Sequence, residues 1–191
     1  MATLADNHVC PFWLGYFLVN PLRKLMENPF GNLRGLVNHG MTVLDAGCAM
    51  GFYSLPMAEL VGPEGRVLCV DLQERMVQKL LRRARKKELH MRIEARVCTP
   101  DDLNVKDLSG TVDFALASAV LHETPDQSAF LAQLREVLVE GGRLLVLEPA
   151  GHVSRRAFGL TLDAADENGL RLQERGRRGY RRTALFVKDR A

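Results

Sequence analysis

The nine residues Val43-Leu44-Asp45-Ala46-Gly47-Cys48-Ala49-Met50-Gly51 carry the strongest chemical signal in the chain. An apolar run ends in an acid, and a turn of small residues follows. Gly47 and Gly51 have no Cβ, so a ligand can lie close to their backbone. Twenty-four residues past Gly47, a second acid, Asp71, closes another apolar run. In open parallel sheets ligands bind outside the carboxyl ends of the strands, and an acid at the second strand end can accept both hydroxyls of a ribose. Two carboxylates around the turn argue against a phosphate there, which wants bare amides. Asp45 suits a cationic amino group instead. Further on, His122 and Glu123 follow the apolar run Val112–Ala117, and Glu148 ends the run Arg143–Leu147. An imidazole, with an ordinary pKa of about 6.5, can take a proton near neutrality. His122 is therefore a candidate base, with a loop cap or a pocket wall as the alternative. Glu123 beside it could orient it or hold a cationic acceptor, and Glu148 is a weaker candidate.

These residues need a scaffold, and the hydrophobic pattern supplies one. Thr42–Ala46, Arg66–Val70, Met91–Val97, Val112–Ala117 and Arg143–Leu147 read as short, mostly apolar strands. Between them, Phe52–Val61, Gln73–Leu89, Asp126–Val139 and Ser154–Asn168 read as helices, stopped by Gly62-Pro63, by Gly141-Gly142 and by Gly169. Alternating strands and helices imply an α/β fold with a parallel, doubly wound sheet covered on both faces. Leu170–Glu174 and Ala184–Val187 have no helix between them. They are expected to form an antiparallel hairpin at one edge, joined by a connection rich in Arg and Gly.

The chain has 191 residues, 47% hydrophobic and 26% charged, with a net charge of +3. This is the composition and length of one globular domain, which excludes a disordered, fibrous or disulfide-stapled chain. The charge is too small to imply nucleic acid by itself. Cys10, Cys48, Cys69 and Cys98 contain no Cys-x-x-Cys pair, and His8-x-Cys10 has no second ligand pair. Free thiols are expected, and no metal site. The amino terminus lacks a basic region and the apolar run Phe12–Val19 is too short to span a bilayer, so the reading is soluble and cytoplasmic. Residues 1–40 hold Pro11, Phe12, Trp13, Tyr16 and Phe17, read as a lid over an acceptor pocket, as ordinary packing or as a membrane-surface contact, with 41–191 as the core.

In this order the motifs resemble those of class I S-adenosylmethionine-dependent methyltransferases. Val43 to Gly51 resembles the family's first motif, and Val70-Asp71-Leu72 the ribose-binding second. Asp113-Phe-Ala-Leu-Ala-Ser-Ala-Val-Leu-His122 resembles the fourth-strand motif, and Leu134 to Glu148 the helix, turn and strand after it. The resemblance implies a Rossmann-like seven-stranded sheet. It also implies a cofactor held by Asp45, Gly47, Cys48, Ala49, Gly51, Phe52, Tyr53, Asp71, Leu72, Thr99, Pro100 and Ser118. Ala49 stands where the family usually has a glycine, and is expected to keep a negative φ. Cys98-Thr99-Pro100-Asp101 replaces the family's usual adenine-side motif.

Such an enzyme needs little from its protein beyond in-line placement and exclusion of water. The expected acceptor is a small molecule, since an Asn-Pro-Pro-Tyr motif is absent and no large inserted domain fits. The alternatives are an RNA or protein acceptor, suggested by Arg82–Lys87 and by Arg175, Arg177, Arg178, Arg181 and Arg182, or a non-catalytic cofactor-binding scaffold. A nicotinamide enzyme fits poorly, because the Gly-x-Gly-x-x-Gly spacing is missing.

Overall fold

The computed structural model describes residues 27–189. The aromatic segment from Cys10 to Phe17 lies outside them. Helix α1 (Pro29–Leu33) begins with proline and is capped by Asn28, whose side chain accepts from the Gly31 amide at 3.0 Å. Strand β1 (Thr42–Ala46) leads through the small-residue turn into α2 (Ser54–Val61), ended by Gly62 at φ 70°. Strand β2 (Arg66–Asp71), helix α3 (Glu74–Lys86) and β3 (Ile93–Val97) follow. Helix α3 buries Met76, Val77, Leu80 and Ala84 at helical spacing, and this apolar stripe docks its basic opposite face outward.

Strand β4 (Val112–Ser118), helix α4 (Gln127–Val137), β5 (Leu138–Pro149), α5 (Arg155–Glu167), β6 (Leu170–Arg178) and β7 (Arg181–Lys188) complete the described chain. Asp126 caps α4 through the Ala129 amide at 2.9 Å, and Ser154 caps α5 through that of Ala157 at 3.0 Å. Each such cap is worth about 1 kcal/mol.

The sheet has seven strands in the order β3-β2-β1-β4-β5-β7-β6. Strands β1 to β5 run parallel, and β7 inserts antiparallel between β5 and β6. The strand order reverses between β1 and β4, which opens a crevice at their carboxyl ends. Side chains alternate across the sheet. Leu44, Ala115 and Val146 pack with Leu131, Leu134 and Phe158 on one face, while Val43, Leu116 and Leu145 pack with Leu55, Leu80 and Leu33 on the other. Burying both faces forces the near-continuous apolar strands seen in the sequence.

Three expectations about local structure are corrected. Helix α4 stops at Val137, and Gly141-Gly142 bends a strand that has already begun at Leu138. Leu138 is fully buried and pairs with Val112, so the core holds it in extended backbone. The register then shifts, and Phe114 meets Arg143. The last connection is also shorter than expected. Strands β6 and β7 continue until only Gly179 and Tyr180 remain between them, with Gly179 at φ 58° as such a tight hairpin requires. Along β6 nearly every side chain is exposed, so no alternation betrayed it, and its charges suit an edge strand. Ala49, finally, sits at φ 45°.

Gly51 is the turn position least tolerant of a side chain. It lies at φ 82°, and a Cβ there would fall 2.3 Å from Cδ1 of Leu80 on α3. The glycine is needed for packing of the turn against α3, beyond any approach to a ligand. Gly51→Ala is expected to lower stability by about 1–3 kcal/mol, read from chemical denaturation. An unchanged unfolding midpoint would refute that packing constraint.

Candidate functional site

Two groups of side chains meet the carboxyl ends of the strands, one on each side of the crevice. The first is built on β1 and β2. The amides of Gly47 and Cys48 both donate to the Val70 carbonyl, at 2.9 and 3.0 Å, which ties the turn to the end of β2. Asp71 then takes the Ala49 amide on Oδ2 at 2.8 Å and the Gln73 amide on Oδ1 at 2.9 Å. The bond to Asp71 is available because Ala49 adopts the left-handed conformation, which aims its N–H across the turn. Burial pushes the Asp71 carboxyl above the ordinary aspartate value, against the two amides that lower it. Asp45 is buried on β1, on the same sheet face as Asp71, and accepts from the Ser54 hydroxyl at the start of α2.

The other sequence-assigned residues divide by exposure. Cys48, Phe52 and Tyr53 are buried, and the Phe52 and Tyr53 rings meet edge to face at 5.3 Å. Gly47, Ala49 and Ser118 are half-buried, whereas Leu72, Thr99 and Pro100 are exposed. Thr99 closes a local turn, its amide donating to Asp102 O at 2.9 Å and its hydroxyl accepting from the Asp102 amide at 3.1 Å. The Cys98 amide donates to the Asp71 carbonyl at 3.1 Å, so the Cys98–Pro100 segment borders Asp71. Burial pushes the Cys98 thiol up to about 12. Cys48 is held above its ordinary value by its hydrogen bond with Cys69 and by burial.

The second group stands on β4 and β5. After β4, Ala119 turns left-handed at φ 56°, and Leu121–Glu123 forms a single 3₁₀ turn. This turn brings His122 against Glu148, the penultimate residue of β5. Nδ1 of His122 lies 2.6 Å from Oε2 of Glu148, and the other carboxylate oxygen accepts the Leu121 amide at 3.0 Å. Glu148 is 1% exposed, so the orienting carboxylate is fixed in place. Glu123, the sequence's candidate for that role, has its Oε1 3.8 Å from Nε2 of His122, beyond hydrogen-bond reach. Glu148 raises the His122 pKa above its ordinary value, against the opposing effect of burial. His152 also comes near, its ring centroid 6.2 Å from that of His122.

A third cluster was not legible in the sequence. Glu27, Tyr53, Tyr180 and Arg181 gather where β7 begins. Arg181 looked like one more member of a surface basic run, and nothing in the local pattern separates it from Arg177 or Arg182.

The amino acids between Val37 and Arg171 match the family model of a methyltransferase domain, over residues 37–171. The chain belongs to this methyltransferase family. A methyltransferase described as S-adenosylmethionine-dependent, from Aquifex aeolicus, has the same fold with a TM-score of 0.84 and 25% identity, covering 94% of this chain and 100% of that one. A demethylmenaquinone methyltransferase of Lactococcus lactis is 28% identical over 124 residues, 63% of this chain and 48% of that protein. A 37.1 kDa protein of a Streptomyces fradiae transposon is 34% identical over 110 residues, 58% of this chain and 30% of that protein. The chain thus spans about half or less of the length of the curated relatives it matches.

S-adenosylmethionine is the cofactor of this class, and the residues present fit it. Ser118 Oγ is buried at the crevice with no hydrogen-bond partner among the described residues, as expected for a group reserved for a ligand. Exposed Leu72 and Val97 flank Asp71 and offer apolar contact for a purine. Three arginines of the basic clusters are held on backbone carbonyls. Arg83 donates to the Met50 carbonyl of the turn, Arg178 to Asn32 O at 2.9 Å, and Arg182 to Val153 O at 2.8 Å. Among the described residues, no helix is long and apolar enough to cross a membrane.

Proposed function

We propose that this methyltransferase transfers a methyl group from S-adenosylmethionine to a small-molecule acceptor at the β4–β5 side of the crevice. The observation that carries the reading is the pairing of two sites across one strand reversal: the turn and Asp71 on one side, the His122–Glu148 dyad on the other. Asp71 would accept the ribose hydroxyls, Asp45 would face the amino group, and Leu72, Thr99 and Pro100 would border the adenine. Gly47, Cys48, Ala49 and Gly51 would shape the turn beneath the cofactor, with Phe52, Tyr53 and Ser118 closing the methionine side.

When bound, S-adenosylmethionine supplies an electrophilic methyl on a sulfonium, whose departure as a neutral thioether needs no acid. The protein's part is then placement and proton removal. Nδ1–H of neutral His122 donates to Glu148, which leaves the Nε2 lone pair free to take the acceptor's proton. Buried Glu148 steadies the imidazolium that results. A small acceptor is favoured in that Arg83, Arg178 and Arg182, from the clusters that could form a nucleic-acid face, are pinned to backbone carbonyls. The relatives named demethylmenaquinone methyltransferases also act, by their names, on a small molecule.

The test has two stages. Calorimetric titration should give binding of S-adenosylmethionine and none of NADH. Cell extract incubated with the protein and methyl-labelled cofactor should then carry label in its small-molecule fraction. Label in RNA or protein would sink the acceptor reading, and lack of cofactor binding would sink the reaction class.

A further inference from the structure

Arg181 opens β7 and pairs with Pro149, the residue after Glu148 at the carboxyl end of β5. Its side chain is only 4% exposed. Nη2 donates to Oε2 of Glu27 at 3.0 Å, while Nε and Nη1 are buried without hydrogen-bond partners among the described residues. Glu27 is meanwhile well supplied: its carboxylate also accepts from the Tyr53 hydroxyl and, at 2.6 Å, from that of Tyr180. The guanidinium lies over the Tyr180 ring, 5.0 Å from its centroid, which holds its plane. A buried cation with two idle donors is costly unless another partner completes it. The partner that suits a guanidinium is a planar, charged acceptor, and a carboxylate is the simplest.

Glu27 links this group to Tyr53 beyond the turn, while the strands that carry the turn and Arg181 stand apart. Strands β4 and β5 lie between β1 and β7, so three strand spacings, about 14 Å, separate the turn's strand from Arg181's. His122 follows β4, which lies one strand nearer to β7 than β1 does, and the Arg181 charge acts on the imidazole. We propose that Arg181 anchors a carboxylate of the methyl acceptor, so that the acceptor is a small organic anion whose reacting atom is directed to His122. The inference rests on the methyl-transfer reading above.

The experiment uses the wild-type protein, Arg181→Met and Arg181→Lys, each saturated with S-adenosylhomocysteine. Formate and benzoate are titrated calorimetrically against their neutral counterparts, formamide and benzamide. In the wild type at least one anion should bind more tightly than its amide. Arg181→Met should weaken that binding at least about tenfold. Arg181→Lys, which keeps the charge and loses the planar donors, should fall between, and its melting temperature shows whether the fold survives. The proposal is overturned if neither anion exceeds its amide, or if the variants bind the anion like the wild type. It is also overturned if Arg181→Lys weakens S-adenosylhomocysteine but not 5′-methylthioadenosine, which lacks the carboxylate, since the guanidinium would then serve the cofactor. Failure of the wild type to bind S-adenosylhomocysteine would instead refute the methyl-transfer reading itself.

Discussion

His122→Ala is expected to lower turnover about a hundredfold or more while S-adenosylmethionine affinity stays near that of the wild type. The split follows from where the imidazole stands, on the β4–β5 side of the crevice with its Nδ1 committed to Glu148. The pH profile gives a second readout. Neutral His122 is the base, and Glu148 raises its pKa above 6.5, with burial and Arg181 opposing and Glu123 assisting. Activity should therefore rise with pH on a limb centred above 6.5. Glu148→Gln keeps a hydrogen-bond acceptor and removes the charge, so it should move that limb to lower pH. Stability has the opposite sense. A histidine whose folded pKa is raised contributes most below its unfolded value and loses that contribution as pH climbs through the folded one. If affinity and turnover fell together in His122→Ala, the imidazole would be part of the cofactor pocket and not a base.

Loss of the Asp71 carboxylate should act on the other half of the site. Asp71→Ala is expected to weaken S-adenosylmethionine binding about ten- to a hundredfold, since each charge-assisted bond to a ribose hydroxyl contributes about 1.5–3 kcal/mol. The same change frees the amides of Ala49 and Gln73, so the turn will also loosen. Asp71→Asn separates the two effects: it keeps an acceptor for an amide but lacks the charge. Because burial raises the Asp71 pKa, affinity in the wild type should decline on acidification at higher pH than an ordinary aspartate would give. Calorimetry across pH measures both. Affinity of Asp71→Ala equal to that of the wild type would remove Asp71 from the cofactor site.

Much of the architecture is written in short-range pattern. The buried strands Thr42–Ala46 and Arg66–Asp71 stand out because burial on both faces demands uninterrupted apolar residues. Asp126 and Ser154 announce the starts of α4 and α5 because a short polar side chain satisfies a first-turn amide. Asp45 and Asp71 were legible because a carboxylate interrupts an otherwise apolar strand, although Asp45 itself lies buried within β1. Edge strands obey weaker local rules. Strand β6 shows no alternation, because pairing with β7 satisfies its backbone while its side chains remain in solvent.

What the sequence determined by itself, then, is the order of elements, the sheet's parallel core and the two acids beside the turn. These depend on periodicity and on residues a few positions apart. Tertiary structure alone decided the partners. His122 is oriented by Glu148, which is remote in sequence, and not by neighbouring Glu123, because parallel pairing of β4 and β5 puts their carboxyl ends side by side. Arg181 looks like its surface neighbours until antiparallel pairing of β7 with β5 fixes which face it takes, away from water and against Glu27. Hydrogen bonds and ion pairs are set by distance in space, and only folding brings together residues that the chain holds far apart.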